Sequence, residues 1–250
     1  MRDSLKRIFV LTKRNLKEIV RDPISLIFMF GLPLFLEILF YLIFHELTPQ
    51  FEMKYLAPSV VVFSQSFLTI FVGLLLSIDR NTSFLTRLYV SKAKSHEFIF
   101  SYSLALIPFV LVQSILFFLI GGIFDSSIFS INMLYAILLS IVTSLFYIAI
   151  GILIGATCSE KAVGGVASII INAQSILSGM WFPIDKLNGG ILYLMDVLPF
   201  RNGVLLVQNV LNGFNDTFND FTKPLLIILA YTIVSIVLAI IFFGKKMKTK

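Results

Sequence analysis

Six long apolar runs, each enough helix to cross a hydrocarbon layer, leave this sequence almost nothing with which to build a water-facing surface. A bilayer core of about 30 Å needs roughly 20 apolar residues of helix. Runs of that length read 24–44, 58–78, 98–124, 133–158, 162–182 and 224–243, and Glu37 is the single Asp, Glu, Lys, Arg or His inside them. With 58% hydrophobic residues, a soluble fold of this length would have too few polar residues to cover itself. A closed β-barrel is excluded on period, because its strands alternate and are about half as long as these runs. The expectation is an all-α integral membrane protein.

Charge is confined to the gaps and is unequally shared. Seven Lys and Arg precede the first run, four lie between Asp79 and Glu97, one is Lys161 and four follow Phe243; the other side holds Lys54, Lys186, Arg201 and Lys223. Basic residues near span ends stay in the cytoplasm, so both termini are expected there, with the chain multi-pass in the plasma membrane. The net charge of +6 is thereby explained by topology, and no nucleic-acid partner is expected. One cysteine, Cys158, allows neither an internal disulfide nor a metal cluster. No cleavable signal is visible, since basic and apolar residues alternate over the first twenty positions.

At 4–21, Leu5, Ile8, Phe9, Thr12, Leu16, Ile19 and Val20 share one helical face, and Lys6, Lys13, Arg14, Lys17 and Arg21 the opposite one. That pattern predicts an amphipathic helix lying in the headgroup layer with its cations toward anionic lipid. Asp22 and Pro23 end it and begin the first span. The gap 79–97 is the long basic loop. Asn81 or Thr82 can cap a short helix there with Phe84, Leu85, Leu88 and Tyr89 on one side, an apolar stripe that wants a docking partner or the membrane surface. Between 183 and 222 two apolar stretches are broken by Asn188, Gly189, Gly190, Pro199 and Gly213. Short helices that dip into the outer leaflet fit this region, and backbone at that depth needs protein or a wet cavity around it. Trp181 and Tyr193 are expected at the headgroup level.

Catalytic constellations are missing from the pattern. No Gly-rich phosphate loop occurs, His45–Glu46 lacks the second histidine of a zinc-protease helix, His96 stands alone, and no serine elbow is present. An intramembrane enzyme would need paired side chains at depth, and one carboxyl is not a pair. Inside the spans the polar residues are Glu37, Gln65, Gln113, Asn172 and Gln174. These are candidate pathway residues, or else interhelical hydrogen-bonding groups. Gly151 and Gly155 form a small-xxx-small step suited to close packing.

Three segments together resemble the membrane subunit of type-2 ABC exporters. Arg21-Asp22-Pro23, followed by an apolar span with Pro33, is similar to the family's elbow helix, turn and first span. The stretch 79–91, from Asp79-Arg80 through Thr82 and Phe84-Leu85-Thr86-Arg87-Leu88-Tyr89, resembles its coupling segment. Ser178-Gly179-Met180-Trp181-Phe182-Pro183 with Leu198-Pro199 is similar to the pattern around the fifth span and the outer re-entrant helices. The coupling segment departs from the family in carrying Asn81 and Thr82 where a glycine is usual, and Lys92-Ala93 where a proline follows.

The resemblance implies one domain over 1–250 with an elbow helix and six spans. It implies partnership with two cytoplasmic ATPase subunits that carry ATP and Mg, and with a second permease chain, identical or different. This chain would bind no cofactor or metal itself. Implied site residues are Asp79, Arg80, Thr82, Phe84, Leu85, Arg87, Leu88, Tyr89 and Glu160 for ATPase coupling, and Arg14, Lys17, Arg21, Asp22 and Pro23 in the elbow. Ser178, Gly179, Phe182, Pro183 and Pro199 would form the outer gate. The implied function is ATP-driven export of a hydrophobic or amphipathic substrate: a drug, an antimicrobial peptide or a lipid-linked compound. The alternative from a different class is a stand-alone channel or ion-coupled carrier with Glu37 as its ion or proton site.

Overall fold

The computed structural model describes residues 2–82, 95–182, 184, 187–213 and 216–248. Phe84, Leu85, Arg87, Leu88, Tyr89 and Pro183 therefore lie outside the described residues. Ten helices are numbered here in chain order: α1 Arg2–Val20, α2 Pro23–Phe44, α3 Met53–Ser66, α4 Leu68–Asn81, α5 Ser95–Phe124, α6 Ile131–Thr157, α7 Glu160–Leu177, α8 Gly189–Val197, α9 Pro199–Asn212 and α10 Lys223–Lys248. No strand occurs among the described residues. The protein is an all-α integral membrane protein.

Five helical segments have the length and apolarity to cross a bilayer: Pro23–Phe44, Met53–Arg80, His96–Phe124, Ile131–Thr157 and Thr217–Gly244. The run expected at 162–182 is realised as α7, which has 18 residues, about 27 Å at 1.5 Å per residue. Glu160 and Lys161 in its first turn, then Asn172 and Gln174, keep it less apolar than the other five. α8 and α9 meet at 77° and together are long and apolar enough for one further crossing. Their contacts instead describe a dip and return. The Phe200 ring at the start of α9 meets Phe146 midway along α6 (6.0 Å), while Asn212 at its end reaches Lys54 at the start of α3.

α6 forms the centre of the bundle, touching α3, α4, α5, α7, α9 and α10. Its approach to α4 is set by glycine. A Cβ on Gly155 would lie 2.6 Å from the Gly73 carbonyl oxygen, and one on Gly151 would lie 2.7 Å from that of Thr69. The small-xxx-small step thus has a partner, and backbones meet where side chains would hold them apart. Beside it Thr69 Oγ1 donates to the Tyr147 carbonyl (3.1 Å).

Two prolines each free a carbonyl, and a distant amide satisfies it. Pro58 inside α3 has no N–H for the carbonyl of Lys54, which accepts from Asn212 Nδ2 at 2.8 Å. In α2 the turn Ile27–Gly31 widens to π geometry. Pro33, four residues beyond Met29, has no N–H for the Met29 carbonyl, which accepts from Gln113 Nε2 at 3.0 Å. The first pairing locks α9 onto α3, and the second α5 onto α2.

Candidate functional site

One end of the bundle gathers α1, the end of α4, the start of α5, the α6–α7 junction and the end of α10. It is called the basic end below. Here α1 lies against α5, with its apolar surface divided. Leu11, Asn15 and Ile19 are buried against the bundle, whereas Leu5, Phe9 and Val20 remain exposed beside the exposed Lys6, Lys13 and Lys17. Such a helix has one face for protein and one for the headgroup boundary.

Two of its arginines do not face outward with the lysines. Arg14 forks onto Asp79, with Nη2 at 2.6 Å from Oδ1, and also reaches Glu18 at 2.8 Å. Tyr102 donates its hydroxyl to the same Asp79 carboxylate. Two turns to the N-terminal side, Arg7 forks onto Glu97 at 2.9 and 2.7 Å, and Ser4 Oγ adds a third donor at 2.5 Å. Both carboxylates are 1% exposed. Planar bidentate pairing is what allows a carboxylate to be held away from water. Burial pulls the Arg14 pKa down, but the hydrogen bond and charge of Asp79, helped by Glu18 and Tyr102, outweigh it and leave the pKa raised. Arg14 therefore stays cationic throughout the working range of pH.

Asp79 and Glu97 bracket the basic loop, so α1 is tied to both of its roots. Arg80 ties a third element by donating to the carbonyls of Ala156 and Cys158, a cation on the exposed dipole of the α6 C-terminus. Thr82 Oγ1 donates to the Asp79 carbonyl (3.0 Å) and closes α4. Glu160 is exposed in the first turn of α7. In the elbow Lys17 and Arg21 are exposed. Asp22 caps α2 by accepting from Ser25 N and Oγ, bonds that hold its carboxyl below the ordinary range. Pro23 occupies the first helical turn.

The five polar residues inside the spans separate into two groups. Glu37, Gln65, Gln113 and Gln174 are fully buried within the chain. Gln65 bridges α3 to α6, donating to the Ser140 carbonyl (2.9 Å) and accepting from Thr143 (2.7 Å). Gln174 accepts from Tyr147 at 2.5 Å. Neither oxygen of Glu37 has a partner; Gly121, whose Cβ would lie 3.5 Å from Oε1 and 2.9 Å from Ala57, leaves the room it occupies. Asn172 alone among the five is exposed, on an α7 face where Gly164 and Gly165 also have open space beside them.

At the opposite end Gly179 takes φ +74° and turns the chain out of α7. Its missing side chain makes room for Ile184 and Met195. Ser178 is buried and accepts from the Met180 amide (3.3 Å), Phe182 is half-buried, and the buried Pro199 starts α9. Trp181 packs on Phe40 (4.5 Å) and donates to Ser175 Oγ (2.7 Å).

The sequence matches the family profile described as "ABC-2 type transporter" over residues 6–212, from within α1 to the end of α9. The chain belongs to the ABC-2 type transporter family. No curated protein matches it significantly. Membership makes it a non-catalytic component of membrane transport, and implies association with an ABC ATPase and a lipid bilayer. At the basic end the Arg14–Asp79 and Arg7–Glu97 pairs are what helical periodicity missed. The periodicity assigned Arg14 to the headgroups along with the lysines. A signal was nevertheless present: Asp79 and Glu97 are carboxylates at the two roots of a basic loop, next to apolar spans where unpaired charge is costly.

Proposed function

We propose that the chain is the permease half of an ATP-driven exporter, with the basic end and both termini on the cytoplasmic side of the plasma membrane. A second permease chain completes the membrane part, and of two ATPase subunits carrying ATP and Mg one docks on this chain at the coupling segment near Phe84 to Tyr89. The observation that carries this reading is the double tether of α1. Any displacement of that segment by a docked subunit pulls on Asp79 and Glu97 together, and through Arg14 and Arg7 moves α1 as one body with α4 and α5. A partner shifts a conformational equilibrium only through different affinity for its two states, and the loop roots are where such a difference reaches the spans.

The route for substrate is proposed along the α7 face bearing Asn172, opposite the second permease. Gln65, Gln113 and Gln174 serve within the chain as interhelical bonds. A hydrophobic or amphipathic substrate suits walls this apolar. The test is co-purification: a soluble chain with an ATP-binding phosphate loop should accompany the full-length protein in detergent, and lose at least most of its coupled hydrolysis when Phe84 and Leu88 are both replaced by Asp. Hydrolysis and recovery unaffected by the double substitution would remove the docking assignment. The carrier reading retains one supporting observation, the partnerless Glu37, and predicts charge movement without any ATPase.

A further inference from the structure

The charge count sets Arg201 among the few cations beyond the spans on the side away from the basic end, but the dip of α8 and α9 carries it inward. It follows Phe200, whose ring meets Phe146 midway along α6, and stands about three turns of α9, roughly 16 Å, short of Asn212. A Cβ on the nearby Gly203 would lie 3.2 Å from Val62 in α3 and 4.0 Å from Thr143 in α6, which fixes this level inside the bundle. Arg201 Nη1 donates to Asp196 Oδ1 across the break between the two helices. Asn202 Nδ2 holds that break by donating to the carbonyls of Asp196 (2.8 Å) and Leu198 (2.7 Å). An ion pair therefore sits at hydrocarbon depth, where ionisable residues are costly and mark function.

The chain itself does not close this pair off. The Arg201 side chain is 17% exposed and that of Asp196 43%. α8 packs on α9 and leaves its other side open: Gly190, Tyr193 (74% exposed) and Val197 run along it, with Leu194 on one flank and Asp196 on the other. A Cβ on Gly190 would meet nothing within 4 Å, so another backbone has room to come close there. Lipid would cover the apolar part of this face but strip water from Asp196 without supplying a charge. Water alone would suit Asp196 and leave Tyr193, Leu194 and Val197 uncovered. A protein surface that is apolar with a charged pair at its edge meets both demands.

We propose that this face of α8 is the contact with a second copy of this chain. Two copies inserted with the same topology are related by a two-fold axis along the membrane normal, and such an axis leaves depth unchanged. Asp196 and Arg201 lie at one level, so the anion of each copy comes level with the cation of the other and the contact is complementary to itself. A different permease carries no such guarantee. The open side of each Asp196 then receives a second guanidinium. The inference rests on the second permease of the exporter reading and deepens it by making that chain identical; it does not depend on the ATPase.

Cross-linking in native membranes tests it. The full-length chain with Cys158→Ser, which removes the lone cysteine, is co-expressed under two different epitope tags and carries either Tyr193→Cys or Val197→Cys. Copper phenanthroline should give a product of twice the chain mass bearing both tags from either position, and none from Ile123→Cys, a position 76% exposed on α5. Asp196→Lys should lower the Val197→Cys yield at least about fivefold, because like charges then meet at one level. Asp196→Arg combined with Arg201→Asp keeps the pair within each chain and should restore most of that yield. Monomer alone at both positions, a product containing a different polypeptide, equal yield from Ile123→Cys, no effect of Asp196→Lys, or a loss that the swap does not repair would overturn the proposal. So would ready alkylation of Val197→Cys by a membrane-impermeant maleimide with no cross-link, the sign of a face covered by water. Recovery of the ATPase with the Cys158→Ser parent is measured in parallel: its retention without cross-linking strikes only this surface, and its loss with cross-linking strikes only the exporter reading.

Discussion

Removal of the Arg14 guanidinium by Arg14→Met tests the central claim about the basic end most directly. Asp79 is 1% exposed and accepts from Arg14 twice and from Tyr102 once. Without Arg14 a buried carboxylate keeps one neutral donor, and breaking a buried pair in this way costs about 3–5 kcal/mol. The Arg14 side chain is itself 27% exposed, so water can enter the gap and the lower end, about 3 kcal/mol, is expected. For a chain of this size that lowers the unfolding midpoint by roughly 6–12 °C. Adding Asp79→Leu removes the stranded charge, so the double variant should recover most of the loss. Thermal unfolding in nanodiscs, followed by Trp181 emission, measures all four corners of the cycle. In the presence of the ATPase the double variant should be stable yet poorly coupled, because the tether between α1 and the loop root is gone. A single variant within about 0.5 kcal/mol of the parent, or a double variant showing no coupling energy, would refute the claim that Asp79 depends on Arg14.

Gly155→Ala should be strongly destabilising, by about 1–3 kcal/mol or more, since its Cβ would meet the Gly73 carbonyl oxygen at 2.6 Å and backbone cannot rotate away; yield and midpoint in detergent would read this, and a variant as stable as the parent would show that α4 and α6 are free to separate. Glu37→Leu should raise the midpoint, as it removes a buried carboxyl with no partner, and should leave ATPase-coupled transport in place. Loss of transport with intact folding would instead favour the carrier reading of that residue.

Much of the architecture was legible because the information is local. An apolar run of a given length crosses a bilayer whatever its neighbours are, and the start of the first span follows from Asp22-Pro23 wherever the chain lies. The fifth apolar run, 162–182, extends past the end of its helix at Leu177. Its apolar stretch continues through Met180-Trp181-Phe182, but Gly179 at φ +74° ends the helix first, and Trp181 packs on Phe40. The polar residues of the spans were found as a set, yet nothing in their spacing separates Gln65, which bonds to α6, from Asn172, which faces out.

What the sequence by itself determined is the helical class, its burial in lipid, the concentration of cations at one end and the resemblance that membership of the ABC-2 family bears out. Transfer free energy and helical period are properties of consecutive residues, and no other part of the chain has to be known to apply them. Tertiary structure alone decided that Arg14 meets Asp79 across 65 positions and Arg7 meets Glu97 across 90, and that Asn212 answers the carbonyl freed by Pro58. A partner for a buried polar group is chosen by which helices are adjacent in space, and adjacency here is set by glycine contacts and carbonyl geometry that leave no periodic trace in the chain.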